Sequence, residues 1–128
     1  MTIVCMRAAD ALEKITAQRP DLLRSHKRAI LEIAGTSSQQ EIRWHMAPLM
    51  SRMNLGVKER VIAVDILFDY LRDKSSIVKT FAMQGLADLA KQDDLLKSRI
   101  LPLLKELTNS GTPAMRARGR KLLAGLAE

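Results

Sequence analysis

One apolar pattern returns four times along this chain at nearly constant spacing, and that repetition restricts the fold more than any other feature. The four stretches are Val4–Ile15, Ile42–Met53, Val78–Leu89 and Met115–Leu126. Each opens on an apolar residue, carries small or medium residues in its middle, and has apolar residues at its ninth and twelfth places. The ninth places, Leu12, Met50, Leu86 and Leu123, are separated by 38, 36 and 37 residues. The twelfth places, Ile15, Met53, Leu89 and Leu126, keep the same separations. Three of the stretches put a base second: Arg43, Lys79 and Arg116. The first has Cys5 there and fits the pattern least well. A period in this range marks units that cannot bury an apolar face alone and stack on copies of themselves.

Inside each stretch the apolar places fall at helical spacing, as in Ile42, Met46, Leu49, Met50 and Met53. A second helical pattern lies between the stretches. Leu22, Leu23, His26, Ile30 and Ile33 form one face of the first such helix. Val57, Val61, Val64, Phe68 and Leu71 form one face of the second, and Leu96, Ile100, Leu103, Leu104 and Leu107 one face of the third. Punctuation agrees with this division. Ser38 to Glu41 reads as a capping box, in which hydroxyl and carboxylate each meet a free backbone N–H. Thr112-Pro113 reads as an N-cap followed by proline at the first helical place, and Ser75 and Asp93 as further caps. Pro20 suits a first turn, and Pro48 and Pro102 fall inside helical patterns. Gly35 and Gly111 stand where a left-handed residue ends a helix. No strand-like alternation or low-complexity stretch interrupts the pattern. The expected fold is all-α: one repeat domain over residues 1–128, with units at about 3–36, 37–74, 75–110 and 111–127.

The pairs Ile42-Arg43, Val78-Lys79 with Ala82 and Leu86, and Met115-Arg116 with Leu123 resemble the first helix of the HEAT repeat family, one of the armadillo-like helical repeats. The resemblance covers essentially the whole chain. It implies a right-handed α-solenoid of about three antiparallel helix pairs plus a final helix, with units at intervals of ~40 residues. It also implies that the second helices line a concave groove used for binding. Repeats of this kind mostly serve as protein-binding scaffolds, a minority bind DNA, and a few are enzymes. The motif is degenerate, so it speaks to architecture far more than to function. Each unit of a solenoid leaves an apolar face open, so uncapped ends imply self-association or a longer solenoid.

Composition narrows the classes further. The chain has 128 residues, 47% of them hydrophobic, and no apolar run approaches the ~20 residues that span a bilayer. The start of the sequence lacks the apolar stretch of a secretory signal, and the lone Cys5 cannot form an internal disulfide. These features lead to the expectation of a soluble, cytoplasmic protein that does not enter membranes. The net charge is +7, unevenly spread: residues 111–128 alone carry +3, from Arg116, Arg118, Arg120 and Lys121 against Glu128. A basic balance favours acidic partners such as nucleic acid. Aromatic residues are only 3%, too few for the stacking platforms that hold single strands, so contact with a duplex backbone is the defensible version.

Catalytic motifs are missing from the sequence. There is no glycine-rich phosphate loop, no dinucleotide fingerprint, no Cys-x-x-Cys and no His-Glu-x-x-His. Cys5 is the only cysteine and His26 and His45 the only histidines, and a free cysteine is usually a small buried hydrophobe. The expectation is a non-enzymatic chain with no cofactor or metal. The methionines Met46, Met50 and Met53 suit a gap-filling core better than a promiscuous surface. Trp44 lies outside the core places of the pattern and is open to two readings, an exposed binding anchor or a ring packed on a neighbouring helix edge.

Candidate binding residues follow from removing the apolar places of the second helices. The concave face then offers Arg24, Lys27, Arg28 and the odd Leu31; Lys58, Asp65, Asp69 and Arg72; and Lys97, Leu101 and Lys105. Bases on the outer two helices and acids on the middle one suit a mixed-charge protein or peptide better than a phosphate backbone. On the last helix Arg116 and Arg120 lie one turn apart with Lys121 adjacent, a candidate anion or nucleic-acid site near a helix N-terminus. The charged stripes of both surfaces are equally what a solvated helix face looks like.

Overall fold

The computed structural model describes residues 26–127 throughout and, before them, Arg7, Asp10, Ala11, Lys14, Ala17, Gln18 and Arg19. The stretch Val4–Ile15 as a unit, with Cys5, Leu12 and Ile15, and also Pro20, Leu22, Leu23 and Arg24, lie outside the described residues. From residue 26 onward the described part forms six helices: α1 (Lys27–Thr36), α2 (Gln40–Arg52), α3 (Val57–Tyr70), α4 (Ser76–Ala90), α5 (Asp94–Ser110) and α6 (Pro113–Ala127). No strand occurs among the described residues.

Capping chemistry explains where most of these helices begin. The Ser75 hydroxyl accepts from Val78 N at 3.3 Å, and the Asp93 carboxylate from Leu96 N at 3.1 Å, as expected for N-caps. Thr112 caps α6, its hydroxyl accepting from Met115 N at 3.4 Å, with Pro113 at the first helical place. The capping box expected at Ser38 does not form. Gln39 is the N-cap residue of α2 and makes no side-chain cap, while the neighbouring Ser37 hydroxyl accepts from Gln39 N at 3.3 Å. Half of such a box appears instead at α3, where the Glu59 carboxylate accepts from Gly56 N at 2.9 Å. That bond, with Lys27 second, holds Glu59 below the usual carboxylate range.

No glycine is left-handed. The expectation for Gly35 and Gly111 is therefore corrected. Gly35 lies within α1, and Gly111 ends α5 in an extended conformation. A Cβ at Gly111 would sit 2.5 Å from the Leu107 carbonyl oxygen and 2.9 Å from Met115 Cβ. Glycine is required there by the tight passage from α5 to α6, not by backbone sign.

The first-helix pattern carries straight into the core. Ile42, Met46, Leu49, Met50 and Met53 are all buried, as are Val78, Leu86 and Leu89, and Met115 and Leu126. Leu123 is half-buried against the same cluster. The methionines are therefore gap-fillers of the core. Helix α4 is the centre of the packing, touched by α2, α3, α5 and α6. Its small residues Ala82, Gly85, Ala87 and Ala90 are buried and let neighbouring backbones approach. Buried side chains of all six helices form one continuous cluster.

The second-helix faces need correction. In α3 the buried residues are Ala63, Val64, Leu67 and Tyr70, whereas Val57 and Val61, expected inside, are 80% and 57% exposed. In α1 Leu31 is buried and Ile33 is 46% exposed, the reverse of expectation, and His26 is exposed. In α5 the expected face holds: Leu96, Ile100 and Leu104 are buried, and Leu103 and Leu107 half-buried. Among the described residues no helix is long and apolar enough to cross a membrane.

Candidate functional site

Two sets of helices can be followed through the packing. α2 touches α4, and α4 touches α6; on the other side α1 touches α3, but the backbones of α3 and α5 stand apart. The gap falls in the set expected to carry the binding groove. Its walls are drawn together only by side chains. Arg60 of α3 lies 3.7 Å from Asp93, the cap of α5, and the Arg99 guanidinium of α5 lies 5.1 Å from the centre of the Phe68 ring of α3.

What remains is a cleft of about 170 Å³ lined by residues of both helices. Val64 and Leu96 are buried in its floor. Val57 and Val61 on one wall and Leu95 on the other, at 82% exposure, carry aliphatic side chains into water. Asp65 from α3 and Arg99 from α5 place opposite charges on the two walls. On the other flank of α3 a second opening of about 350 Å³ is lined by Arg28, Leu31, Glu32, Glu59 and Ile62. Helix α3 is thus a ridge with apolar residues on both flanks and Lys58 and Asp65 exposed upon it.

The residues expected on this face divide into three groups. Arg28, Lys58, Asp65, Arg72 and Lys105 are exposed, and Lys97 is half-buried. Lys27 is engaged within the fold: its ammonium donates to the Asn54 carbonyl and lies 3.3 Å from Glu59. Asp69, although exposed, faces Arg43 at 3.4 Å, and Leu101 packs against the core. Lys27 and Asp69 thus pin the ends of α1 and α2 to α3. Sequence reasoning misses the aliphatic strip of Val57, Val61 and Leu95, because helical periodicity places Val57 and Val61 on the core face. Their number was the available signal, since α3 has more apolar residues than one buried face can hold.

Arg43, the base of the repeated pattern, is built into the structure. Its guanidinium donates to Asp73 at 3.1 Å and to the Ser37 carbonyl at 2.9 Å, and lies 4.9 Å from the centre of the Tyr70 ring. Trp44 beside it is half-buried and packs against the core. Its indole N–H donates to His45 Nε2 at 3.0 Å, and His45 Nε2 is 3.8 Å from Asp10. The ring is thus packed on the core with part of its surface still exposed.

On α6, Arg116, Arg120 and Lys121 are all exposed, and their side chains make no hydrogen bond or ion pair with other described residues. Arg118 donates to Gln84 of α4 at 2.7 Å. The large exposed apolar residues lie on other helices, so the outward face of α6 is basic and alanine-rich. Among the described residues α6 exposes no large apolar side chain. A polar cleft of about 300 Å³ at the ends of α2 and α4 holds Ser51, Arg52, Arg60, Asp88 and Gln92. Among the described residues no group of three His, Cys, Asp or Glu side chains comes together. Comparison with protein-family models, curated proteins and solved structures finds no match to this chain.

Proposed function

We propose that this chain is a HEAT-like interaction module, a right-handed helical solenoid without chemistry of its own, that binds a protein or peptide on the α1–α3–α5 face. The observation that carries the reading is the opening between α3 and α5, where Val57, Val61 and Leu95 stand exposed over a buried floor. Aliphatic side chains that could have been covered by closer packing, and are not, cost about 25 cal/mol per Å² of apolar area left in water. Fixed charges of both signs on the walls add selectivity more than affinity. Exposed apolar residues ringed by such charges are how partner-binding surfaces are composed. Solubilising substitution tests this reading. Val61→Glu with Leu95→Glu should abolish capture of specific partners from lysate, while Arg116→Glu with Arg120→Glu should leave it intact.

The second reading is contact with duplex nucleic acid through α6, favoured by three exposed cations whose side chains pair with no described residue. Three phosphate contacts correspond to a log–log salt slope of roughly −3. Fluorescence anisotropy of a labelled random duplex measures that slope directly, and flat or absent binding at low salt removes this reading.

A further inference from the structure

We propose that the α3–α5 cleft receives one amphipathic helix of a partner protein, with a base on the side facing Asp65 and an acid on the side facing Arg99. The inference rests on the interaction-module reading and adds the conformation and charge order of the bound segment.

Size decides the depth of binding. A cleft of about 170 Å³ accommodates side chains rather than a whole helix, so the occupant lies along the mouth and inserts an apolar stripe. Val57 and Val61 are one helical turn apart and, with Leu95 opposite, present aliphatic surface on both walls. That arrangement fits anchors spaced i, i+3 or i+4, and i+7.

Backbone chemistry favours a helix over an extended strand. An extended peptide brings N–H and C=O groups that need partners. The walls of this cleft are helices that leave backbone N–H groups free only in their first turns, as at Val57 and Leu95, and so offer donors but no alternating ladder of donors and acceptors; of the polar side chains in the lining, Arg60 and Asp93 lie 3.7 Å from each other. A helical segment satisfies its own backbone and needs only apolar contact.

Charge order sets the orientation about the axis. Asp65 and Arg99 are exposed on opposite walls, and among the described residues they form no ion pair with each other; the other two wall charges, half-buried Arg60 and Asp93, offset each other across the cleft at 3.7 Å and leave Asp65 and Arg99 to set the order. A segment with base and acid in the complementary order meets attraction on both sides, and the exchanged order meets repulsion on both.

The test is selection of short displayed peptides against the whole chain, followed by titration of synthetic versions. Selected peptides are expected to carry the apolar stripe, to gain helical circular dichroism on binding, and to weaken at least about tenfold against Val61→Glu/Leu95→Glu. The single variant Val57→Glu, at a more exposed site, repeats the test if the double variant folds poorly. Exchanging the wall charges, Asp65→Arg with Arg99→Asp, should reverse the preference between peptides whose flanking charges are exchanged. Cleft-dependent peptides that bind extended, or ignore the charge exchange, overturn the helix inference and leave the module reading standing. Peptides indifferent to the cleft variants, or no selected peptides at all, overturn both.

Discussion

The Tyr70 hydroxyl donates to the backbone carbonyl of Ala34 at 2.7 Å, joining the end of α3 to the end of α1 across 36 positions of sequence. Both partners are buried, so this one bond satisfies a carbonyl that water cannot reach. Arg43 covers the ring from the other side. The second pair of helices is thereby tied to the helix before it at a point no periodicity marks.

Replacement of Tyr70 by Phe leaves the Ala34 carbonyl unpaired and should cost about 1–3 kcal/mol in urea unfolding at neutral pH. Burial also pushes the Tyr70 phenol well above its ordinary value near 10. A raised folded pKa means the stabilisation is full below the unfolded value and is lost as pH rises through the folded one. Wild type should therefore lose stability above pH ~10 more steeply than Tyr70→Phe, which has no proton to lose there. Equal alkaline slopes in the two proteins would refute the assignment.

Arg43 separates a strong partner from a weak one. The Asp73 side chain is 8% exposed and that of Asp69 59%. Arg43→Ala strands a nearly buried carboxylate and should cost roughly 3 kcal/mol. Asp69→Ala removes an exposed partner and should cost less than about 1 kcal/mol. Chemical denaturation of the two variants checks the order, and similar costs would mean that Arg43 acts through its ring contact instead.

The face of α3 is tested by a pair of substitutions. Val61→Lys alters an exposed side chain and should change stability by no more than about 0.5 kcal/mol. Leu67→Ala empties a fully buried position and should cost about 2–5 kcal/mol. The reverse order in thermal unfolding would restore the face that periodicity alone suggests.

Contact between α5 and α6 depends on the absence of a side chain. A Cβ at Gly119 would collide with the Thr108 side chain, whose hydroxyl donates to the Leu104 carbonyl at 2.6 Å. Gly119→Ala should therefore destabilise by about 1–3 kcal/mol through overpacking. Adding Thr108→Ala should recover part of the loss. Full additivity of the two substitutions in denaturation would show that the side chains do not meet.

The first helices were legible in the sequence because each has one dominant apolar stripe, as Ile42, Met46, Leu49, Met50 and Met53 do. Helix α3 was not. Its run Val-Ile-Ala-Val-Asp-Ile-Leu-Phe offers apolar residues almost all round, so several faces satisfy the same period. The structure selects the face containing Ala63, fully buried, because a small residue lets neighbours approach closely. Val57 and Val61 are then turned outward, and the aliphatic cleft was hidden from sequence reasoning for the same reason. Lys27 shows a further limit. Its partners Asn54 and Glu59 come from another helix pair, and spacing along the chain cannot bring them together. The cations of α6 were legible, because solvated bases on a terminal helix need no tertiary partner to be placed.

The most direct test of partner binding at α3–α5 is a photo-crosslinking amino acid placed at Val61 in the cell, with a control at Ala117 on the outward side of α6. The account predicts a discrete, protease-sensitive adduct at Val61, resistant to nuclease and absent from the Ala117 control. No adduct at Val61, or a nuclease-sensitive adduct formed from Ala117 alone, would contradict it.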